Sequence, residues 1–241
     1  MKLPSVKPFG QTAALLTWPS EISLDTHQEV IQAAHFIERR FSDLILDVVP
    51  AYCSIAVFFR SEIFRGKFLD EVGNTWPTDY QVGVSEKFLY TIPVCYEEPF
   101  ALDLSDLAKR KELSPSEVVD RHCAPLYSVA FLGFLPGFPY LLGLNSSLHT
   151  SRKVTPRQRV AQGSVGIAGA QTGIYPSVSP GGWNVIGRTP IRLFKAASQN
   201  PTLLSAGDRV KFEPIDEGQF NQIDTAIKSG SYIVRKEAYR G

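Results

Sequence analysis

Between Phe131 and Pro190 the chain concentrates ten of its eighteen glycines, and no other feature restricts the fold so tightly. Glycine is used where φ must be positive or where another group approaches the backbone closely. Here the glycines alternate with short apolar runs: Phe131 to Leu144, Gly163 to Pro176, Ser179 to Asn184 and Ile186 to Pro190. Long helices are excluded by such a pattern. It predicts short strands with tight connections around a shaped pocket or groove.

Charge singles out the same region. From Arg121 to Gly207 there is no Asp or Glu, yet the stretch carries Arg121, Arg152, Lys153, Arg157, Arg159, Arg188, Arg192 and Lys195. With a whole-chain charge of +1, these eight cations leave −7 for the rest. A basic cleft gathers anions. Nucleic acid is a poor partner for a nearly neutral chain without a binding motif. A small anionic substrate fits better.

At 241 residues the chain has room for one large or two small domains. Its first residues form no apolar h-region, so no signal peptide is expected. The longest uncharged runs, 131–151 and 160–187, are too rich in Gly and Pro for membrane helices. Cys53, Cys95 and Cys123 are widely spaced and form no CxxC pair. Neither a metal site nor a disulfide is expected, and a reduced, cytoplasmic setting fits.

Taken in order, Thr12–Trp18 reads as a first strand, and Asp25 with Gln28 as the capping box of an amphipathic helix. Leu44–Val49 and Cys53–Phe59 read as strands, Glu62–Val72 as a helix, and Lys87–Tyr96 as a fourth strand. In that last strand Pro93 implies an edge or a bulge. The order βαββαβ is that of a ferredoxin-like unit, giving an N-terminal domain over 1–98. Residues 99–241 form the second domain of this α+β chain. Asp103–Lys111 opens it as a helix. Ser114-Pro-Ser-Glu117 then combines a serine cap, a proline at the first helical position and a glutamate three residues on, predicting a helix to about His122. Short strands follow at Ser128–Phe134, Arg159–Gln162, Ser164–Ala168, Trp183–Gly187, Ile191–Phe194 and Arg209–Phe212, the texture of a barrel or sandwich. Residues 216–241 are mixed in character, and the pattern does not place them.

No complete catalytic signature is present: no GxGxxG, Walker A, GxSxG, HExxH or SxxK motif occurs. Among the four histidines, His122 is the best general acid or base, since it ends a helix just before the basic block. The competing reading is a cation complementing the helix dipole. Arg157 and Arg159 share one strand face, and Arg188 follows a glycine at a strand end, so guanidinium forks can meet an anion there. Glycines at 169, 173, 181 and 182 bracket Gln171, Thr172, Tyr175 and Trp183. With Arg157 and Arg188 these form the candidate anion-binding groove, in which Arg157 is expected to be solvent-accessible. The uncharged 131–144 segment is partly core and partly a candidate partner surface, through Phe134, Leu135, Phe138 and Tyr140.

These residues carry a resemblance. The stretches Phe131 to Tyr140, Thr155-Pro-Arg157, Gly169 to Pro176 and Ser179 to Trp183, with Asp47 to Tyr52 and Gly207 to Val210, resemble the family of 5-oxoprolinase B subunits. That family also includes the sporulation kinase inhibitor KipI and allophanate hydrolase subunit 1. The resemblance implies a cyclophilin-like β-barrel in the C-terminal half, related to the carboxyltransferase module of urea carboxylase. It implies the A and C subunits of 5-oxoprolinase as partners, the C one homologous to this chain. It also implies ATP-coupled opening of 5-oxoproline to glutamate, with ATP held here or by a partner. A histidine kinase is the partner in the KipI alternative, and urea or allophanate chemistry is the other. Two stretches depart from the family pattern: Glu97 to Asp103, and a longer tail beyond Ile215.

Overall fold

A computed structural model describes residues 1, 3–19, 23–77 and 87–239. The chain divides into two compact units, Met1–Ser85 and Glu86–Gly241.

The N-terminal unit holds β1 (Ser5–Phe9), β2 (Ala13–Thr17), α1 (Leu24–Arg40), β3 (Ile45–Pro50), β4 (Ser54–Phe59) and α2 (Glu62–Thr75). Its sheet runs β1-β2-β4-β3, antiparallel throughout. The order is therefore ββαββα, not the ferredoxin-like βαββαβ. The expected first strand is the second arm of a hairpin turned at Gly10, whose φ is +64°. β1 was hidden because it is almost wholly exposed and carries no alternating apolar pattern. Helix α1 is capped by Ser23, which accepts from the Thr26 N–H, so the cap lies two residues ahead of Asp25. Val30, Ala33, Ala34 and Ile37 of α1 pack with Leu16, Ile55, Val57, Phe59 and, from α2, Phe68.

The second unit takes β5 (Lys87–Cys95), α3 (Leu104–Arg110), α4 (Pro115–Cys123), β6 (Tyr127–Leu132), β7 (Pro139–Leu142), β8 (Arg157–Val160), β9 (Ser164–Ala168), β10 (Gln171–Ile174), β11 (Ser179–Gly181), β12 (Asn184–Arg188), β13 (Arg209–Ile215), α5 (Glu217–Lys228) and β14 (Lys236–Tyr239). Seven strands close a barrel in the order β12-β9-β10-β7-β6-β13-β5, with β5 returning to β12 at Cys95 and Arg188. The strand expected to finish the N-terminal sheet is thus a barrel stave, and the 98/99 boundary falls inside this unit.

Proline in that stave has a physical explanation. One side of β5 is paired by β13 along 89–95. The other side is paired by β14 over 87–90 and by β12 only at Cys95. Thr91 N donates to Arg235 O on this second side, and alternation turns the ring nitrogen of Pro93 the same way. It meets the gap between β14 and β12, where no ladder bond is lost.

Ile92, Val94, Tyr127, Val129, Leu141, Val165, Ile167, Ile174, Ile186 and Phe212 fill the barrel. The capping box of α4 is present as expected, with Ser114 and Glu117 bonded reciprocally. The strand expected at 159–162 lies at 157–160 and pairs with β11 in a separate two-stranded ribbon. Residues 191–194 form no strand beyond a bridge from Phe194 to Thr202. No described helix is long and apolar enough to cross a membrane.

Candidate functional site

Helix α3 begins at Asp103, the N-cap by position, but its carboxylate makes no capping bond. It turns instead into the barrel's outer face and is 1% exposed. Arg157 donates to it through both terminal nitrogens, at 2.7 and 2.8 Å, Lys153 Nζ donates at 2.7 Å, and the Val185 N–H donates at 2.8 Å. Burial alone would raise the Asp103 pKa. The bonds from Arg157, Lys153 and Val185 outweigh that effect and hold it below the ordinary carboxylate range. The Arg157 fork is therefore occupied by an acid from outside the basic block. A second buried polar anchor lies beside it: Asn184 accepts from Arg110 at 2.8 Å and donates to Ser151 O and Ile167 O. Sequence reasoning missed both Asp103 and Asn184. No sequence signal separates Asp103 from Asp106, Glu112, Glu117 and Asp120, the other acids between it and the acid-free block.

His122 lies on the inside of the barrel and is fully buried, its ring stacked on Phe212 at 4.6 Å. Nε2 is 3.0 Å from Thr172 Oγ1, and Nδ1 is 2.8 Å from Tyr96 Oη. Thr172 donates its hydroxyl proton to Gly166 O at 3.0 Å, so it accepts from His122. This fixes the Nε2–H tautomer, with Tyr96 donating to Nδ1 and Cys123 Sγ donating to Tyr96. Desolvation lowers the His122 pKa to about 3. A neutral, sealed imidazole with both nitrogens engaged suits a structural pin, and the geometry offers no route to a substrate for the general acid or base expected from the sequence.

The linkage has a definite sign. Unfolded chain protonates His122 below its ordinary pKa near 6.5, and folded chain only near 3. The unfolded state thus binds more protons between these values, and stability falls as pH drops through that window. His122→Gln should flatten the acid limb of a urea-unfolding series between pH 6.5 and pH 3. An unchanged limb would show that His122 is not buried neutral.

The remaining residues divide between the two faces of β10. Thr172 and Ile174 point into the barrel, whereas Gln171 and Gly173 alternate to the outer face. There Phe138, Tyr175, Trp183, Val160, Ala168 and Val185 make a second small core, flanked by Leu135 and Tyr140. The rings meet edge to face: Phe138 lies 5.3 Å from Tyr175 and 5.3 Å from Trp183. Tyr175 and Trp183 are thus buried, 1% and 5% exposed, and do not line an open groove. Phe134 stands above them, 62% exposed and at φ +65°. Of the expected partner surface, Phe134 is open, Leu135 and Tyr140 are half-buried, and Phe138 is sealed beneath.

Arg188 stands apart. It lies four residues beyond Asn184 on β12, roughly 13 Å along the strand. Its Nε donates to Gln162 O, and its guanidinium lies against the stacked rings of Phe100 and Phe220. The outer face therefore gathers Arg157, Gln171, Tyr175 and Trp183, without Thr172, Arg188 or His122. Its rim cation is Arg152, which is exposed, makes no ion pair among the described residues, and lies close enough to draw the Tyr140 and Tyr175 pKa values down against the upward effect of burial. An aromatic floor with an open phenylalanine and an unpaired arginine can hold a small ring carrying negative charge.

Residues 4–204 match the family model for the carboxyltransferase domain, subdomain C and D. The chain is 37% identical to the B subunit of 5-oxoprolinase from Bacillus subtilis, over 90% of this chain and 95% of that protein. The crystal structure of TTHA0988 superposes with a TM-score of 0.74 at 33% identity, over 86% of this chain and 40% of that longer one. Urea amidolyase of K. lactis shares the fold, with a TM-score of 0.78 at 19% identity over 98% of this chain and 16% of that one. The barrel with its accompanying antiparallel sheet is thus a carboxyltransferase-type fold, and the chain belongs to the carboxyltransferase-domain family of subdomains C and D, beside proteins named as the B subunit of 5-oxoprolinase.

Proposed function

We propose that this chain is the B subunit of an ATP-dependent 5-oxoprolinase and acts in complex with the A and C subunits, the C one being its homologue. The observation that carries this reading is the near full-length match to the B subunit of 5-oxoprolinase from Bacillus subtilis. The reaction opens a lactam: water adds its oxygen to the ring carbonyl carbon, the C–N bond breaks, and the nitrogen leaves as the amine of glutamate. An amide is a poor electrophile at neutral pH, and ATP supplies its activation.

Side-chain placement supports shared work within a complex. In this chain the buried acid is committed to Arg157 and Lys153, and the central histidine is neutral and enclosed. The outer face supplies recognition: Tyr140 and Phe134 present apolar surface to a five-membered ring, and Arg152 meets its carboxylate. A bacterium deleted for its own B subunit, grown on 5-oxoproline as nitrogen source, provides the test. This chain should restore growth, and Arg152→Ala should weaken the rescue by raising KM. No rescue, with the chain folded and bound to the host's A and C subunits, would count against the reading.

A further inference from the structure

The tail beyond the barrel builds a cleft. After α5 the chain reverses at Gly230, where φ is +76°, and Ser231 N donates back to Ala226 O. It then crosses to lay β14 antiparallel on the start of β5. Between this return, the first residues of β5 and the loop 191–205 lies a cavity of about 680 Å³. That volume is in the range of small-molecule sites. One wall, from Ile227 to Lys236, lies beyond residue 204 and so outside the stretch matched by the family.

Its lining is cationic. Lys87, Arg192, Lys195 and Lys236 face the cavity, against the single carboxylate of Asp208 among the described lining residues. Asp208 is committed to backbone amides. It is 3% exposed, and its two oxygens accept from Phe88 N at 3.1 Å and Ser205 N at 2.8 Å. Two of the cations are held in place. Lys87 Nζ donates to Ala206 O at 2.9 Å, and its stem crosses Gly207, where a Cβ would stand 2.9 Å from Cε. Lys236 Nζ sits 4.4 Å over the Phe88 ring. Arg192 and Lys195 make no ion pair among the described residues, and Arg192 is exposed while Lys195 is exposed in the loop beyond the Phe194 bridge.

We propose that this cleft binds a small phosphate-bearing molecule, with Arg192 and Lys195 on the phosphate and Tyr232 against its body. A phosphate group brings nearly two charges and three acceptor oxygens, which suits a guanidinium fork and an ammonium acting together. One carboxylate would leave most of these cations unmatched. The site is independent of the aromatic face and of the proposed 5-oxoprolinase activity.

Calorimetric titration of the full chain with pyrophosphate, in buffer free of phosphate and sulfate, tests this. Binding should appear and weaken as salt is added. Arg192→Ala/Lys195→Ala should reduce affinity by about tenfold or more per cation, since each charge-assisted bond is lost. Its melting temperature should stay unchanged, because both side chains are exposed. Citrate should bind more weakly than pyrophosphate. The proposal is overturned by an absence of binding at millimolar pyrophosphate, by equal binding of citrate, or by full affinity in the double variant.

Discussion

Gly163→Ala should lower the melting temperature by about 4–20 °C, on the scale of 2–4 °C per kcal/mol for a chain of this size. Gly163 joins three strands of the barrel face: its N–H donates to Tyr175 O at 2.8 Å, and its carbonyl accepts from Thr189 N at 2.9 Å. Its φ is +82°, and an added Cβ would lie 2.1 Å from Thr189 O. The left-handed backbone costs about 1–2 kcal/mol for alanine. A backbone oxygen cannot swing aside, so forcing it away adds about 1–3 kcal/mol or more. Gly169 is the control, since its φ of +60° is comparable but nothing lies within 4 Å of its Cβ position. Gly169→Ala should show only the backbone cost. Thermal denaturation followed by circular dichroism measures both, and equal shifts would contradict the packing assigned to Gly163.

Arg157→Ala should destabilise the chain by about 2–3 kcal/mol, because removing one partner of a buried ion pair leaves a charge poorly compensated. The figure lies at or below the about 3–5 kcal/mol of a fully buried pair because Lys153 and the Val185 N–H remain on Asp103, and because the Arg157 side chain is 26% exposed. Asp103→Asn/Arg157→Ala should cost less than the sum of the single changes, the coupling expected of groups in one network. Urea denaturation of the four proteins gives the cycle. Strict additivity would show that the pair seen at 2.7 Å contributes nothing to the fold. The sequence implied a different outcome for Arg157→Ala, a loss of activity with stability intact. That expectation counted carboxylates only within 121–207, while Asp103 reaches the arginine across 54 residues of chain.

Such long-range pairing marks where sequence reading stops. Residues whose roles are local were legible: the Ser114–Glu117 capping box, the short strands around glycines, and the buried apolar face of α1. The fate of Lys87–Cys95 was not, because an apolar run shows that a strand is buried but not which sheet buries it. For the candidate site, Tyr175 and Trp183 were found as a cluster, and of the four glycines at 169, 173, 181 and 182 only Gly173 and Gly181 are packed too closely for a Cβ. Gly181 is needed because a Cβ there would stand 2.2 Å from Tyr175 Oη. The cluster was read as a groove wall, however, because composition does not distinguish aromatic rings lining a cavity from rings filling one. Thr172 was assigned to the same face as Gln171, although a two-residue strand period places neighbours on opposite faces. Arg152 was legible as a cation, but nothing in its sequence surroundings separated it from Arg157.

The most direct measurement is glutamate release from 5-oxoproline and ATP by the three purified subunits together, with this chain in the B position, and by each mixture lacking one of them. Sustained glutamate formation is expected only from the complete set, with a complete loss when this chain is omitted. Turnover by the A and C subunits without this chain, or by this chain alone, would contradict this expectation.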